Sequence, residues 1–560
     1  GIADNALNKL PIPKRMRWGS SEAQFVRPVH WLLFLHGNDI VECNLLDATA
    51  GRLTWGHRFH HPDSITLQNP ADYAELLESQ GKVIADFDKR RAHIRQAVEQ
   101  QATQLGGAAD IDEALLDEVT ALNEWPVAVA GEFEERFLEV PHEALVTTMK
   151  TNQKYFPVFD QQGQLMNHFI TIANIASRDP QMIKAGNERV VRPRLADAMF
   201  FWQQDGKRRL EDHTEALKKV VFQKDLGSMF DKSQRVAALA AEIAAGIGGD
   251  TGLAMRAGLL SRCDLMTEMV YEFASMQGIM GRYQAQRDGE PAELAQAMDE
   301  FYMPRYSGDR LPESKTGIAL ALAERIDTLV GIFGIGMKPT GDKDPFALRR
   351  AALGALRILH EHALPLNLTD LLSFAAIELR DKVNQQQVVA EVEQFMLERL
   401  RGLYADQGVS TDLFEAVAAV KPHNLADFQR RIDAVSNFRQ LPEAESLAAA
   451  NKRIGNILKK NDQPTDQQIQ PDLFEGQPER QLYEQIMAKQ SLIQPLLEAA
   501  DYPAILLSLA DLRPAVDEFF DQVMVMADEQ TVRNNRLSLL SRLQQLFLEV
   551  ADISVLQAAN

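Results

Sequence analysis

A basic stripe at residues 449–460 contains the side chains best suited to contact a bound anion. Lys452, Asn456 and Lys459 follow one another at i, i+4 and i+7, so a helix would present all three on one face. The opposite face of that helix is apolar and consists of Ile454, Ile457 and Leu458. Ammonium groups bind phosphates and an amide can read a base edge, which is chemistry that suits unpaired RNA. The alternative interpretation is a solvated helix face that binds nothing.

A second polar cluster, residues 533–536, opens the last helical pattern of the chain. The apolar side of that pattern consists of Leu539, Leu540, Leu543, Phe547 and Val550. Each cluster alone is typical of a solvated face, but two such clusters in one domain favour a shared binding surface. The residues that we predict to contact the ligand are Lys452, Arg453, Asn456, Lys459, Arg533, Asn534 and Arg536.

Residues 336–343 resemble a phosphate-binding loop but break its pattern. The motif requires Lys directly after its second Gly, whereas Asp342 stands at that position and Lys343 comes one later. An acidic side chain is unfavourable where phosphates should bind, so we exclude a nucleotide-binding loop here. Asp344 can instead cap a helix, with Pro345 at its first position.

The helix predicted after this loop has a basic face of its own. Arg350, Gly354 and Arg357 fall at i, i+4 and i+7, so two guanidinium groups flank a patch without a side chain, which could seat a phosphate backbone. The alternative is a solvated basic face, with Gly354 present for close helix packing. The candidates for phosphate contact outside the C-terminal region are Lys338, Lys343, Arg349, Arg350, Arg357, Arg192 and Arg194.

The sequence contains no recognisable catalytic constellation, and we predict no catalytic residue. His57, His60 and His61 lie close together, but no acidic or cysteine partner stands at ligand spacing, which favours a structural or solvent-facing role. The motifs of nucleophile elbows, zinc proteases and dinucleotide-binding folds are absent from the sequence.

The composition is typical of a multidomain globular protein with an acidic surface. The 560 residues carry 59 Lys and Arg against 79 Asp and Glu, a formal net charge of −20 at pH 7. Non-specific nucleic-acid binders are usually basic, so a polyanion would have to dock on local basic stripes. No run of residues approaches a membrane span, and only Cys43 and Cys263 are present, which predicts a cytoplasmic protein without disulfides. The first residue is Gly1, which we interpret as a start inside a longer protein.

The elements that must position the candidate residues divide the chain into an α+β region and a helical remainder. Strands are predicted at 25–35, 40–46, 127–130, 155–159 and 169–175, and helices at 70–81 and 83–105. From about residue 192 onward the pattern is almost entirely helical. Helices there are predicted at 231–245, 253–273, 292–302, 317–331, 345–360, 368–379, 388–404 and 411–420. The polar stretch 461–477 is predicted as an exposed loop.

Longer blocks of sequence are far more specific than the short patterns above. They are residues 16–19, 25–29, 148–150, 153–158, 190–198 and 341–353. In their content and order these blocks resemble the beta subunit of bacterial heterotetrameric glycyl-tRNA synthetase, and the resemblance runs through essentially the whole chain. Members of that family begin with a further N-terminal stretch, which agrees with the missing initiator Met.

The resemblance implies a division of labour between two chains. A separate alpha subunit would bind ATP, Mg²⁺ and glycine and form the adenylate, so no cofactor is expected on this chain. The beta subunit would hold tRNA(Gly) within a cytoplasmic α2β2 assembly, with neither a membrane nor DNA as a partner. The complete enzyme is a glycine–tRNA ligase that converts ATP, glycine and tRNA(Gly) into glycyl-tRNA(Gly), AMP and diphosphate.

The resemblance also implies a mainly α, multidomain fold with an α+β N-terminal region. The implied parts are a region similar to B3/B4 of phenylalanyl-tRNA synthetase at 1–215, an HD-like helical domain at 216–365, a helical connecting region at 366–430, and an anticodon-binding helical bundle similar to that of arginyl-type class I synthetases at 431–560. The C-terminal candidates would then contact the anticodon side of tRNA, and the other candidates its body and acceptor side.

The HD-like region lacks the ligand set of an active metal-dependent phosphohydrolase. Lys232 stands at the first His position, Cys263 and Asp264 at the His-Asp pair, and Asp327 at the last position. Two imidazole ligands are thereby replaced, one of them by a cation that repels a metal. We therefore predict a degenerate site without a metal. The alternatives that stay open are an HD-type nucleotide phosphohydrolase and an assembly scaffold that binds no RNA.

Overall fold

The computed structural model describes residues 1–460 and 468–557. The chain divides into two compact units, Gly1–Lys207 and Arg208–Asn560, and each is described by itself. This division falls close to the first domain boundary predicted from the sequence, at residue 215. The other predicted boundaries lie inside the second unit and stay predictions.

The first unit combines a four-stranded antiparallel sheet with helices. Its helices are α1 (Ile2–Lys9), α2 (Tyr73–Ser79), α3 (Phe87–Gln104), α4 (Glu113–Leu122), α5 (His142–Thr147) and α6 (Pro180–Asp205). Its strands are β1 (Leu32–Leu33), β2 (Leu35–His36), β3 (Asp39–Ile40), β4 (Asn44–Leu45), β5 (Ala48–Gly51), β6 (Leu53–Trp55), β7 (Ser64–Thr66), β8 (Ala108–Ala109), β9 (Val127–Glu132), β10 (Phe156–Phe159) and β11 (Leu165–Ala173). The main sheet has the strand order β8-β10-β11-β9, and its neighbouring strands are antiparallel.

Helices α3 and α4 pack against this sheet and form the core of the first unit. Asp86 caps α3 by accepting a hydrogen bond from the Lys89 N–H at 2.7 Å, so the helix begins at Phe87 and not at residue 83 as the pattern predicts. The buried core side chains are Ile94, Val98, Ala102, Leu115, Leu116, Val119, Phe156, Val158 and Ile170. The apolar faces of the two helices and of the sheet therefore pack into one hydrophobic cluster.

The predicted strand 25–35 is wrong over most of its length. Only β1 and β2 are strands in this segment, and Phe25 forms a single bridge outside them. Strand β2 pairs with β3 across a turn at Gly37, whose φ of 56° is in the left-handed region that glycine tolerates. The residues before β1 are half-buried or exposed, so their apolar pattern does not secure a sheet partner.

Two of the three clustered histidines have structural partners. His57 is buried, its Nε2 lies 2.6 Å from the carbonyl oxygen of Asn174, and its Nδ1 accepts the backbone N–H groups of Phe59 and His60 at 3.2 Å. His60 Nε2 accepts the N–H of Ala176 at 3.0 Å. These bonds tie the loop after β6 to the end of β11, which agrees with the structural interpretation of the cluster.

The second unit is almost entirely helical over its described residues. Its helices are α7 (Met229–Gly246), α8 (Thr251–Leu260), α9 (Glu268–Glu272), α10 (Ile279–Arg287), α11 (Ala292–Glu300), α12 (Lys315–Gly334), α13 (Leu348–Glu361), α14 (Leu368–Glu378), α15 (Gln385–Asp406), α16 (Thr411–Ala418), α17 (Leu425–Phe438), α18 (Ala444–Lys459), α19 (Gln477–Glu498), α20 (Tyr502–Ala510), α21 (Arg513–Gln522) and α22 (Gln530–Leu548). A two-stranded ribbon, β12 (Val221–Gln223) and β13 (Gly227–Ser228), precedes α7. One hydrophobic core connects these helices, with buried residues from Leu210 to Ile553.

Helix α12 is buried on nearly all sides. Ser314 caps it by accepting a hydrogen bond from the Gly317 N–H at 2.9 Å. The neighbouring helices α7 and α8 approach so closely that a Cβ atom on Gly258 would lie 2.4 Å from the Cα atom of Ala237. Such close packing places several charged side chains of α7 and α12 in the interior.

The helix predicted at 253–273 is interrupted in the structure. Residues Cys263–Met266 form a 3₁₀ turn between α8 and α9. The carboxylate of Asp264 accepts the Gly278 N–H at 2.6 Å, a bond to a residue well outside the local segment. The apolar pattern that predicts one helix over 253–273 therefore belongs to two helices, α8 and α9, that pack into the same core.

The prediction of Asp344 as the N-cap, with Pro345 at the first helical position, is wrong, because the helix begins at Leu348 and its N-cap is Ala347, although Asp344 does bond to the first turn. Its carboxylate accepts the N–H groups of Leu348 at 2.8 Å and Arg349 at 2.9 Å. Ala347 has a φ of 53°, so the chain turns before α13 and Pro345 lies outside the helix. Asp344 thus satisfies N–H groups of the first turn of α13 from a position four residues before Leu348.

The predicted loop 461–477 is only partly described, because residues 461–467 lie outside the described residues. The remainder contains a 3₁₀ turn at Pro471–Leu473 and ends where α19 begins at Gln477. A polar cluster connects α17 to the helices that follow this loop. Arg431 contacts Asp427 at 2.8 Å and the Tyr502 hydroxyl at 2.9 Å, and that hydroxyl donates to Asp427 at 2.5 Å.

Candidate nucleic-acid interface

Helix α18 presents most of the predicted C-terminal contact residues to solvent. Lys452, Arg453, Asn456 and Lys459 are exposed, and we call these four residues the α18 surface. The buried side of the helix consists of Ala444, Leu447, Ala448, Ala450, Asn451 and Ile454. Ile457 and Leu458, predicted to be buried, are only half-buried, because the last turn of α18 projects beyond the core.

Among the described residues, no carboxylate forms an ion pair with the cations of the α18 surface. Neither Lys452 nor Lys459 forms an ion pair or hydrogen bond with another described residue, and the same is true of the Asn456 side chain. The Arg453 guanidinium lies over the Phe520 ring, 4.3 Å from its centroid, and this cation–π contact holds it against α21. Unpaired cations on an otherwise acidic protein form a local site for a polyanion.

Two concave surfaces meet at Lys452. One, of about 350 Å³, is lined by residues of α18 including Lys452, Arg453 and Asn456. The other, of about 540 Å³, lies between the start of α18 and the C-terminal segment with Leu556, and Lys452 also lines it. The α18 surface therefore borders hollows in which an extended, unpaired strand could lie, as the spacing predicts.

The second predicted cluster, at the start of α22, is differently placed. Arg533 is half-buried and donates to the carbonyl oxygen of Ala527 at 3.0 Å. Asn534 is half-buried, and its Oδ1 atom has no hydrogen-bond partner among the described residues. These two residues stay candidates at the edge of the C-terminal bundle.

Arg536 does not fit the predicted contact role, because its guanidinium is buried and paired. Nε lies 2.6 Å from Glu479 and Nη2 lies 2.8 Å from Glu475. Burial alone would lower the pKa of Arg536, but the hydrogen bonds and charges of these two carboxylates raise it above its usual value. We therefore remove Arg536 from the set of ligand-contacting candidates.

Sequence reasoning also missed the role of Asn535. Its amide forms a two-way bond with the backbone of Gln470, accepting at 2.8 Å and donating at 3.0 Å. With Arg536 it fixes the segment before α19 onto α22. A signal for the burial of Arg536 is present in the sequence, because it lies three, seven and eleven residues before Leu539, Leu543 and Phe547 and hence on the apolar stripe.

The candidates around α13 are mostly paired within the protein. Lys338 lies 2.8 Å from Glu391, Arg357 Nε lies 2.7 Å from Glu361, and Arg349 donates to the carbonyl oxygen of Gly341. Lys343 and Arg350 are exposed and form no ion pair with a described residue. Those two are the members of this set whose side chains form neither an ion pair nor a hydrogen bond with a described residue.

Gly354 does not form the open patch that could seat a phosphate backbone. It is buried, and a Cβ atom there would lie 2.6 Å from Nε of Arg325. The alternative interpretation is confirmed in this respect, since Gly354 serves close packing. The Arg350–Gly354–Arg357 face is therefore not a continuous phosphate seat.

The remaining two candidates lie on α6 in the first unit. Arg192 is exposed and lies 2.9 Å from Glu134, whereas Arg194 is exposed and has no ion pair among the described residues. Of these two arginines, Arg194 is therefore the one whose guanidinium has no ion pair among the described residues.

The predicted degenerate metal positions are buried and occupied by protein charges. The Lys232 ammonium lies 2.9 Å from Asp327 and 2.7 Å from the Thr328 hydroxyl, and Arg235 contacts Asp327 at 2.7 Å. Burial alone would raise the pKa of Asp327, but these two cations hold it below its usual range. An ammonium group that already binds the carboxylate does not fit a metal ligand set.

The other half of the predicted site has separate partners. Cys263 Sγ lies 3.6 Å from the Thr214 hydroxyl, and Asp264 accepts the Gly278 N–H. Burial raises the pKa of the Cys263 thiol to about 11 and that of Asp264 to about 6. Among the residues that the structure describes, no three His, Cys, Asp or Glu side chains form a group suited to hold a metal ion.

None of the described helices of this chain is both long and apolar enough to cross a bilayer.

Comparison of the sequence with known proteins identifies the family of this chain. The family model described as glycyl-tRNA synthetase beta subunit matches residues 1–419, and the model of the DALR anticodon binding domain matches residues 447–557, which include the whole α18 surface. Relatives named glycine–tRNA ligase beta subunit are 52% identical over 555 residues in Pseudomonas putida, 50% over 561 residues in Marinobacter nauticus and 52% over 556 residues in Edwardsiella ictaluri. These alignments cover 99%, 100% and 99% of this chain and 81% of each relative. The chain thus belongs to the glycyl-tRNA synthetase beta subunit family.

Proposed function

We propose that this chain is the tRNA-binding, non-catalytic subunit of a glycine–tRNA ligase. A separate alpha subunit would bind ATP, Mg²⁺ and glycine and form the adenylate, and the two chains would assemble as α2β2 in the cytoplasm. Family membership and the names of the relatives support this division. No catalytic residue is assigned to this chain.

The observation that carries the proposal is the α18 surface. Three exposed cations and an exposed amide lie side by side within the segment that matches an anticodon-binding model. Most of the other cations predicted to bind RNA are paired with carboxylates or carbonyl oxygens of the protein. We propose that Lys452 and Lys459 contact phosphates, that Arg453 and Asn456 contact unpaired bases, and that Arg533 and Asn534 extend this surface.

A second set of contacts is proposed for the tRNA body and acceptor side. Lys343, Arg350 and Arg194 have exposed side chains without carboxylate partners among the described residues, which supports their availability to phosphates. Lys338, Arg349, Arg357 and Arg192 would have to exchange a protein partner for a phosphate, so we expect smaller contributions from them.

The architecture is proposed in finer detail from the resemblance. Residues 1–215 would be B3/B4-like, and 216–365 would be an HD-like domain whose metal site has degenerated. The pairing of Lys232 with Asp327 supports the second assignment, because it leaves no room for a cation at that carboxylate. Calorimetric titration with Mn²⁺ or Ni²⁺ tests it: sub-micromolar binding that Asp264→Ala abolishes would favour the phosphohydrolase alternative.

Filter binding of labelled tRNA(Gly) tests the function directly. We expect the double variant Lys452→Glu with Lys459→Glu to bind at least about 100-fold more weakly, since each reversal removes a charge-assisted contact worth roughly 1.5–3 kcal/mol. The matched control is Lys382→Glu with Lys421→Glu, which changes the net charge equally at exposed lysines outside α18. Equal affinity of both double variants and the unmodified chain would favour the scaffold alternative.

A further inference from the structure

A cavity rich in arginine lies between α12, α13 and the segment after α11. Its volume is about 550 Å³, which is within the range of small-ligand sites. Four arginines and one glutamate contribute to its lining: Arg262, Arg305, Arg325, Arg350 and Glu324. The cavity does not include the α18 surface, and of its arginines the RNA contacts proposed above use Arg350 alone.

The positive charge of this cavity is not balanced by the protein. Arg262 pairs with Glu324, and Arg305 pairs with Asp299. Arg325 has only neutral partners, the carbonyl oxygens of Phe301, Ala321, Tyr302 and Pro304, at 2.8–3.2 Å. Arg350 has no hydrogen bond or ion pair with a described residue. Two of the four guanidinium groups therefore form no ion pair with a carboxylate among the described residues.

The electrostatic state of Arg325 agrees with this imbalance. Its side chain is buried, and burial lowers its pKa to about 10; the charges of Glu324 and Asp309 oppose this shift only in part, and the charge of Arg350 adds to it. A buried cation is stabilised by an anion brought close to it, so the cavity would gain from a negatively charged occupant.

Polar atoms in the cavity lining also lack partners. Arg262 is buried, and its Nε atom has no hydrogen-bond partner among the described residues. The Tyr302 hydroxyl is likewise buried without one, and burial raises the pKa of this phenol well above its usual value, so it stays a neutral donor. Buried donors without partners are rare in folded proteins and are expected where a ligand completes the bonding.

The remaining lining supplies flat apolar surface. Phe301, Tyr302 and Phe346 contribute aromatic rings beside the arginines. Guanidinium groups bind phosphate oxygens in pairs, and aromatic rings and guanidinium planes stack on nucleobases. The two kinds of surface lie within one cavity of the size of a single nucleotide.

We propose that this cavity binds one nucleoside phosphate, with Arg350 as its main phosphate contact and the aromatic wall against the base. The ligand can be a free mononucleotide or an unpaired nucleotide of an RNA, because both present the same phosphate and base. Arg325 acts as a positioning residue, since its bonds to the carbonyl oxygens of residues 301–304 hold the aromatic segment in place. The proposal is independent of RNA binding at α18.

Equilibrium dialysis of the full chain with AMP, GMP, CMP and UMP tests the site. We expect saturable binding of at least one monophosphate, one molecule per chain, and binding of the matching nucleoside at least about tenfold weaker because the phosphate contact is lost. Arg350→Glu should weaken monophosphate binding at least about tenfold. Arg380→Glu is the matched control, since this exposed arginine does not line the cavity and belongs to no proposed contact set, and it should change the affinity less than about twofold.

Competition with tRNA identifies the source of the nucleotide. If tRNA(Gly) at saturating concentration displaces the bound monophosphate from the unmodified chain, the cavity receives an RNA nucleotide; if the monophosphate stays bound while tRNA binds, its ligand is a free nucleotide. The proposal is overturned if none of the four monophosphates binds saturably at millimolar concentration, or if Arg350→Glu and Arg380→Glu bind monophosphate alike. Equal thermal unfolding of the two variants shows that a difference in binding does not come from misfolding.

Discussion

Helices α18 and α22 belong to the same C-terminal bundle, and each carries a short cluster of cations and amides. On α18 the cations are exposed, and its two predicted phosphate-binding lysines have no carboxylate partner among the described residues. On α22, Arg536 is buried and its guanidinium is shared by Glu475 and Glu479. Similar residue types are therefore available to a ligand in one helix and stabilise the fold in the other.

The difference follows from the position of each cation relative to the apolar stripe of its helix. Lys452 and Lys459 lie away from Ile454, which is fully buried. Arg536 lies in line with Leu539 and Leu543, so the packing of that stripe carries it into the interior. A buried charge must be paired to be tolerated, whereas an exposed one stays available to a phosphate.

Removal of Arg536 should give the largest effect, and on stability. The Arg536→Ala variant leaves the carboxylate of Glu479, which is 1% exposed, without its partner. We expect a loss of about 3–5 kcal/mol in the free energy of unfolding, measured by urea denaturation. Arg533→Ala, which loses one bond to a carbonyl oxygen, should cost only about 0.5–1.5 kcal/mol. Equal stability of the two variants would remove the contrast between buried and exposed cations.

The comparison of buried with exposed charged groups also applies to Asp264, a buried acidic residue. Burial raises the pKa of Asp264 to about 6, above the value of roughly 3.9 in an unfolded chain. The stabilising effect of the neutral carboxyl group is therefore complete below pH ~4. It is lost as the pH rises through ~6. Asp264→Asn removes this dependence. The stability of the variant relative to the unmodified chain should therefore increase by about 1 kcal/mol between pH 5 and pH 7.5. A difference in unfolding free energy that does not change with pH would contradict the buried, raised state of this carboxyl group.

The α18 lysines should act on salt dependence and leave stability unchanged. Lys452→Ala with Lys459→Ala removes two phosphate contacts, which should reduce the slope of log affinity for tRNA against log salt by about 1.4. The free energy of unfolding should change by less than about 0.5 kcal/mol. The paired control, Lys382→Ala with Lys421→Ala, should leave the slope as it is. An unchanged slope in the α18 variant would mean that these ammonium groups do not meet phosphates.

Arg453 should show a small effect on stability, because its exposed guanidinium also contacts the protein. Arg453→Ala loses the cation–π contact with Phe520, for which we expect about 0.5–1 kcal/mol in unfolding free energy. Phe520→Leu should cost a similar amount through the same contact. If only Arg453→Ala also weakens tRNA binding, the guanidinium serves both partners; if both variants weaken it equally, Arg453 acts through the fold alone.

Much of the helical organisation could be predicted from periodicity. The 3.6-residue pattern indicates α12 and α18, and it correctly places Lys452, Asn456 and Lys459 on an exposed face. The family resemblance also places Lys232 and Asp327 in one site, and in the structure the Lys232 ammonium lies 2.9 Å from the Asp327 carboxylate. These features depend on local spacing, or on blocks shared with a family, and both can be read in one chain.

The rest depends on partners distant in sequence. Arg536 is held by carboxylates of the segment before and at the start of α19, and Asp264 accepts the N–H of Gly278, so neither bond is visible in a local pattern. Gly354 looks like an open patch on a helix wheel, but its neighbour is Arg325 of another helix. Tertiary packing decides such positions, and periodicity alone does not contain it.

The most direct test of the division of labour is glycylation of tRNA(Gly) by this chain, by the alpha subunit, and by their mixture. We predict charging by the mixture alone, and a mixture containing the Lys452→Glu, Lys459→Glu variant should show a KM for tRNA raised at least about tenfold, with the rate of glycine-dependent ATP–diphosphate exchange unchanged. Charging by this chain in the absence of the alpha subunit, or an unchanged KM for tRNA in the variant mixture, would contradict the account.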